Sequence, residues 1–561
     1  MQFRALVDDV LDAYFGHYPV HATEIGDHDH DGAWNDLTDA GRQARLAWVA
    51  DAVATVSSVP EAELSADERI DRRILLENLE ALRFSEETLD EPSWNPLSYV
   101  YLFGNGLFSL LAREFAPAEE RLRSAAARMR ALPAALDQAR QRLGDGGARP
   151  ISQFHTQKAV ERLPGIADLA DTAVEEAASV DAALREEVST AAAEAKSAVE
   201  GFTAWVRDEL LPQATGDFRL GADLYAQKFR HALQTDMTPD GLEQRAVSAY
   251  EDVRAEMLRL ASDLWPRWVD DAPIPDDPNQ VVRRVLDAIS AQHPPAEDLL
   301  ELCRAENERI EAFIREIDLV GLADEPLQIV WTPQFLRAFG GAMLIPPGPL
   351  DRGLDSFFAI TPPPPDWTAE RRESYLREYN DRMIRLLTIH EAVPGHYLQL
   401  AYSNRADSLV RAIFQSGVFA EGWAVYITQV MMDVGYGADD PALMLIHLKF
   451  YLRSITNTLM DLRIHAGAMT QEEAMDLMVN GGFQEEGEAA NKWDRARLSS
   501  TQLCEYFLGY VGMQDLEAEE RRRAAAEGRE FRYRPFLESV LAHGTPSMPV
   551  IRDVLYPGGP A

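Results

Sequence analysis

The sequence predicts a mainly α-helical protein built as one large unit with two lobes, on three observations. Apolar residues recur at three- and four-residue spacing over most of the chain. Strand signals are confined to one short region, and there is neither an internal repeat nor a low-complexity linker long enough to separate independent domains. In chain order, residues 154–212 place Val160, Leu163, Ile166 and Leu169 on one helical face, then run through an Ala/Glu/Lys-rich stretch into Phe202, Trp205 and Leu210. Gly144-Asp145-Gly146-Gly147 before it marks a loop, as does the proline-rich segment from Pro273 to Pro278. Residues 241–268 and 296–318 read as helices, the second opened by His293-Pro294-Pro295. Leu327–Trp331, Ala342–Ile345 and Ser356–Ile360 are the strand candidates, forming a small β ribbon. From Glu373 almost to Asp515 the pattern is helical again, broken at a few turns. The lobes are expected at about 1–325 and 326–561 of a single 1–561 domain.

Composition narrows the function. The 561 residues include 54 Lys+Arg against 92 Asp+Glu, a formal charge of −38, and 46% are hydrophobic. Such an excess of acid argues against a nucleic-acid partner, which needs clustered Lys/Arg to displace counterions, and against anionic membranes. Two cysteines, Cys303 and Cys504, sit in no metal-binding pattern and write no disulfide framework. Asp8 and Asp9 fall where a signal peptide needs its apolar run, and no stretch of 18 apolar residues occurs, so the expected location is cytoplasmic.

The chemistry concentrates in Ile389-His390-Glu391-Ala392-Val393-Pro394-Gly395-His396. In the H-E-x-x-H pattern two imidazoles one turn apart share a helix face, and the Glu between them acts as general base. Here the second His comes six residues after the first. On an unbroken helix that is a net rotation of ~240°, which would aim the rings apart. Pro394 cannot donate the amide hydrogen bond of its turn, and Gly395 permits backbone angles others resist. Together they mark a bulge or kink that would loop out two residues and return the rings to one side. Glu421, 25 residues after His396, lies in the apolar run Phe419-Ala420-Glu421-Gly422-Trp423-Ala424. A carboxylate so placed needs a partner, and metal coordination supplies one. His390, His396 and Glu421 would then form a His₂Glu set for one Zn²⁺ or another divalent ion, with a fourth position for water. Glu391 would accept that water's proton and pass it to the leaving amine.

The two motifs resemble the bacterial domain of unknown function 885 (DUF885), and the likeness extends over nearly the whole chain. It includes Gly221-Ala222-Asp223-Leu224-Tyr225, Arg463-Ile464-His465, and Gln502-Leu503-Cys504-Glu505-Tyr506-Phe507. The resemblance implies a helical fold similar to thermostable carboxypeptidase Taq and, more distantly, to thimet-type oligopeptidases. In those relatives a long, deep cleft between helical lobes holds a zinc bound by two His and one Glu. Carried over by position, His390, His396 and Glu421 are ligands and Glu391 is the base.

Amide hydrolysis also needs a donor for the oxyanion, and Tyr506 and His465 are the candidates. Arg453, Arg463, Arg495 and Arg497 lie nearby in sequence. A carboxypeptidase or dipeptidase would use such a residue to clamp a substrate carboxylate, and Arg463 and Arg497 are carried forward for that role. Each has the competing reading of pairing with one of the many acids. Gly340–Ile345 is expected to offer an extended edge to a peptide by β-augmentation. Asp27-His28-Asp29-His30-Asp31 is read as a solvated loop rather than a second metal site, and the run from Glu517 to Arg523 as an ion-paired helix face. The expected function is a zinc-dependent metallopeptidase acting on a small peptide or peptide-like substrate. The alternatives are a metal-dependent hydrolase of non-peptide amides or esters and a catalytically silent helical binding protein. Oligomeric state is open, a homodimer included.

Overall fold

Helices begin where the sequence supplies caps. Ser65 and Thr470 accept backbone N–H groups of the first turn while Glu68 and Glu473 reach back, completing two capping boxes. Thr238 accepts from Gly241 N, with Pro239 in the first turn. The computed structural model describes residues 2–269, 273–332, 341–351, 353–364, 367–406 and 408–557. They are mainly helical, with one three-stranded sheet. Cys303 and Cys504 are buried and unbridged. No helix among the described residues is long and apolar enough to cross a membrane.

The chain packs into two compact units, Met1–Leu220 with Pro347–Leu354, and Gly221–Pro346 with Asp355–Ala561. They part at Leu220 rather than near 325, so the strands and the helices just before them belong with the C-terminal unit. In the first unit, helices α1 (Ala118–Asp145) and α2 (Ala182–Trp205) pack together, and each buries alanines, Ala125, Ala126 and Ala139 on the first and Ala191, Ala192 and Ala195 on the second. The fully buried Arg128 satisfies its guanidinium on the carbonyls of Pro19, Ala33 and Gly106 and on Thr23 Oγ1. Thr23 donates in turn to Asp31 at 2.7 Å.

That relay overturns the expectation of a solvated loop at 27–31. Asp31 is buried, and His28 bridges it at 3.0 Å to Asp351 at 3.0 Å while its ring stacks on Phe115. The stretch therefore ties the 347–354 segment to the first unit.

In the second unit α3 (Pro239–Trp268) packs on α8 (Pro441–His465), which is buried on almost every side. The other helices used below are α4 (Leu299–Ile317), α5 (Asp381–Glu391), α6 (His396–Ser403), α7 (Gly417–Asp433), α9 (Glu486–Leu498) and α10 (Glu505–Glu527). Strands β1 (Leu327–Trp331), β2 (Ala342–Ile345) and β3 (Ser356–Ile360) lie in the order β1-β3-β2. β3 runs parallel to β1 and antiparallel to β2, with Leu344 opposite Phe358. The expected ribbon is thus a mixed sheet with β2 at its edge. Gly340, the first residue of the expected peptide-binding edge, lies outside the described residues. Phe358 and Ile360 pack on Leu299 and Cys303 of α4 and Ile384 of α5, which sets the sheet against the helix carrying His390.

Burial opposes charge on the His28 imidazole, but its hydrogen bonds to Asp31 and Asp351 outweigh it and raise its pKa to about 9. A raised folded-state value stabilises fully below the unfolded pKa of ~6.5 and is lost as pH climbs through the folded one. The urea-denaturation difference between wild type and His28→Ala should be greatest at about pH 6 and shrink toward about pH 10. A difference that grows over this range would refute the assignment.

Candidate metal centre

Helix α5 is started by the Asn380 side chain, which accepts from Arg382 N and Met383 N, and its residues from Arg382 to His390, Arg385 excepted, are buried. It stops at Glu391. Pro394 cannot supply the next intrahelical donor, and the chain turns at Ala392 to Gly395 before α6 starts at His396. A Cβ on Gly395 would lie 1.9 Å from the carbonyl oxygen of His390 and 2.3 Å from that of Ile389, so only glycine fits this turn. The expected bulge in a single helix is therefore a break between two helices. The outcome for the side chains is the one the spacing required: the His390 and His396 rings meet with centroids 4.8 Å apart at 85°.

Glu421 arrives on α7, whose N-terminus is capped by Ser416. Its Oε2 is 3.5 Å from His396 Nε2 and 3.9 Å from His390 Nε2. One donor atom from each residue can be chosen so that all lie within 4.8 Å of one another, and this is the only such trio found among the described residues. Donors ~2.0–2.2 Å from a tetrahedral ion stand about 3.4 Å apart, so the set fits a divalent cation after small side-chain shifts. Glu421 Oε2 is buried with no hydrogen-bond partner, an atom whose desolvation a cation would offset.

Two contacts hold α7 in place. Trp423 Nε1 donates to the Pro394 carbonyl at 2.9 Å, joining the second motif to the turn in the first. One residue earlier, Gly422 meets Gly509 of α10 backbone to backbone, where a Cβ on Gly422 would come within 2.3 Å of the Gly509 carbonyl carbon. That close approach brings the start of α10, with Glu505 and Tyr506, to the Glu421 side of α7.

Burial, and then His396, push the His390 pKa down to about 3, so its ring is neutral with a lone pair available. For His396 and Glu421 burial opposes charge, yet their mutual attraction wins, raising His396 and lowering Glu421. Burial raises Glu391 to about 7, reinforced by Glu421 and opposed by His396 and the Leu344 amide. The latter, in edge strand β2, donates to Glu391 Oε2 at 3.0 Å. Glu505 is raised to about 8 by burial and by Glu421.

The remaining candidates separate. Tyr506 accepts from Arg495 Nη2 at 3.4 Å, and burial and Glu421 raise its phenol above the usual range. His465 instead ends α8 with Nε2 at 2.8 Å from the Ala496 carbonyl and 3.1 Å from that of Ser499, its ring stacked on Tyr225. Both partners are acceptors, so that nitrogen donates to the main chain and holds α8 to the end of α9 rather than awaiting an oxyanion. Arg463 pairs with Glu243 at 2.7 Å and lines a 1290 Å³ cavity none of whose lining residues is one of the three donors. Arg497 pairs with Asp494 and lies over Trp493. The arginines whose charge is felt at the centre are Arg453, at His390 and Glu391, and Arg495, at Glu421. Trp423 and Leu344 were not foreseen. A Trp two residues after Glu421 was the available signal for the first, while a main-chain donor leaves no sequence trace.

The sequence profile of the bacterial proteins of unknown function DUF885 matches residues 19–555. Among solved structures, one described as a lipoprotein of unknown function from Shewanella oneidensis is similar, with 31% identity, a TM-score of 0.86 and 99% of each chain covered. Another, described as a lipoprotein from Colwellia psychrerythraea, shares the fold at 15% identity and a TM-score of 0.80, covering 99% of this chain and 98% of its own. No curated protein matches.

Replacing Trp423 by Phe keeps an aromatic side chain but removes the donor and orphans the buried Pro394 carbonyl, which should cost ~1–3 kcal/mol in denaturant unfolding. Gly395→Ala, which forces backbone atoms apart, should cost at least as much. Unchanged midpoints in both would show that the turn is not held as described.

Proposed function

Because the chain belongs to the DUF885 family, whose function is unknown, we propose from the site itself that it is a zinc-dependent metallopeptidase of short peptides, carboxypeptidase- or dipeptidase-like in action. The observation that carries this reading is the convergence of two imidazoles and a carboxylate from three helices, with Glu391 beside them. The likeness to carboxypeptidase Taq-type peptidases is part of the same proposal, as is a cytoplasmic location. Similar structures described as lipoproteins make cell fractionation the direct check on that location.

Zinc, or another divalent ion, would supply Lewis acidity toward the scissile carbonyl. The chain's own residues do the rest. His390 and His396 present imidazole nitrogens at right angles, and Glu421 contributes the anionic donor. Glu391 takes a proton from the attacking water and delivers it to the leaving amine; the Leu344 N–H holds one of its oxygens and leaves the other for this transfer. Tyr506, steadied by Arg495, is the donor proposed for the developing oxyanion.

After chelation and titration the protein should take up one zinc per chain, and Glu421→Ala or His390→Ala should weaken that uptake by ~100-fold or more. Glu391→Gln should bind zinc normally while losing ~10²–10⁴-fold in dipeptide hydrolysis. Absence of stoichiometric divalent metal together with an indifferent Glu421→Ala would end the metal reading. Full activity in Glu391→Gln would reassign the base.

A further inference from the structure

Next to the candidate centre lies a set of charges that it does not use. Helix α9 carries Glu488, Lys492 and Arg495 at positions i, i+4 and i+7, one face of the helix, and α8, packed against it, carries Lys449 and Arg453 one turn apart. Two carboxylates serve this face. Glu378 holds Lys449 at 2.8 Å and Arg453 at 4.0 Å, and Glu488 holds Arg453 at 3.9 Å and Lys492 at 3.6 Å. Three cations thus share two acids in a setting where these side chains are largely withdrawn from water. Among the described residues Arg495 forms no ion pair; its Nη2 donates to Gln502 Oε1 at 2.9 Å and to Tyr506.

The cluster adjoins the donor trio. The Arg453 guanidinium lies 4.8 Å over the Phe450 ring, and that ring packs edge-on against His390 at 5.6 Å. Burial first, and then the guanidiniums of Arg453 and Arg495 against Glu488, push Lys492 down to about 8. Of the two carboxylates acting on Arg495, Glu421 acts more strongly than Glu505. Were Glu421 to ligate a cation, its charge would be spent there and Arg495, which forms no ion pair among the described residues, would face the site with less counter-charge. A partly buried guanidinium in that position calls for an anion.

We propose that Arg495, assisted by Arg453, binds a carboxylate of the substrate, making the site selective for short peptides with a free carboxylate beside the scissile bond. This rests on the metallopeptidase reading and assigns its specificity to residues. Arg495 has the reach and the planar fork for the role, and its existing bond to Tyr506 would couple carboxylate capture to placement of the oxyanion donor.

The test uses full-length, zinc-loaded Glu391→Gln protein, titrated calorimetrically with N-acetyl-Ala-Ala, its C-terminal amide, and the amide of N-acetyl-Ala-Glu. The free acid should bind about tenfold or more tighter than the plain amide. In Glu391→Gln/Arg495→Ala that preference should fall to within about twofold, in Arg495→Lys it should be intermediate, and with Arg463→Ala it should persist. Thermal melts of each variant verify folding, and Arg495→Lys carries the test where Arg495→Ala does not fold. If the glutamyl amide binds like the acid, the subsite reads a side-chain carboxylate; if it binds like the plain amide, it reads the chain terminus. Equal affinities for acid and amide, no binding of the acid, or a preference that survives loss of Arg495 overturns the proposal. A preference for the acid without turnover by wild-type enzyme would sink the peptidase reading alone. Equal turnover and equal binding of acid and amide would sink the carboxylate subsite alone.

Discussion

The candidate centre depends on one backbone contact. Gly395 sits so close to the carbonyls of Ile389 and His390 that no side chain can stand there. This contact lets α5 end at Glu391 and α6 begin at His396 with almost no chain between them. Without it, a six-residue spacing on continuous helix would send the two imidazoles to different faces. The turn leaves the Pro394 carbonyl buried, and Trp423 satisfies it from α7, so the bond that completes the turn also positions the helix bearing Glu421. The Gly422–Gly509 contact then draws in α10 with Tyr506. Three helix placements thus descend from one tight turn, each through a contact in which a larger or less polar residue would fail.

The net charge of −38 describes the protein as a whole and misdescribes this neighbourhood. Many of the acids are used locally on helix faces: Glu517 with Arg521, and Glu519 with Arg523, are one-turn pairs, and Glu517 also receives the buried Tyr426 hydroxyl. Such pairs contribute little individually and are screened by salt. Charges withdrawn from water are screened far less, so the few cations of α8 and α9 govern the field near His390 and Glu421 more than the distant acidic surface does. An acidic exterior would suggest basic ligands; the buried set points to an anionic one.

The helical class and all three strands were legible because periodicity and turn residues act locally. Leu327–Trp331, Ala342–Ile345 and Ser356–Ile360 are bounded by prolines and glycines, and the structure pairs those same segments. His390, His396 and Glu421 were legible as a set because few residue types combine in that way. What escaped was whatever is decided by tertiary contact. Arg463 and Arg453 are alike in sequence, ten positions apart on one helix, yet Glu243 neutralises the first while the second faces His390 through Phe450. His465 looked available only because its acceptors, the carbonyls of Ala496 and Ser499, are main-chain atoms. The 27–31 stretch looked solvated because Asp351, its partner, is more than three hundred residues away.

The sheet edge and Glu391, the proposed general base, constrain each other. In an antiparallel pair, alternate residues direct both N–H and C=O toward the partner strand. Thr361 N bonds to Gly341 O, which puts Gly341, Met343 and Ile345 in the inward register and turns Ala342 and Leu344 outward. One of the two outward N–H groups, that of Leu344, is already taken by Glu391. A peptide laid along β2 therefore cannot pair fully with that strand unless Glu391 gives up its donor. Extended pairing and a fixed base are in competition, and a substrate held by a few main-chain bonds and a terminal charge avoids the conflict. The short strand, the occupied amide and the nearby guanidiniums favour a small substrate over a long one for the same reason: each limits how much backbone the edge can engage while Glu391 stays in place.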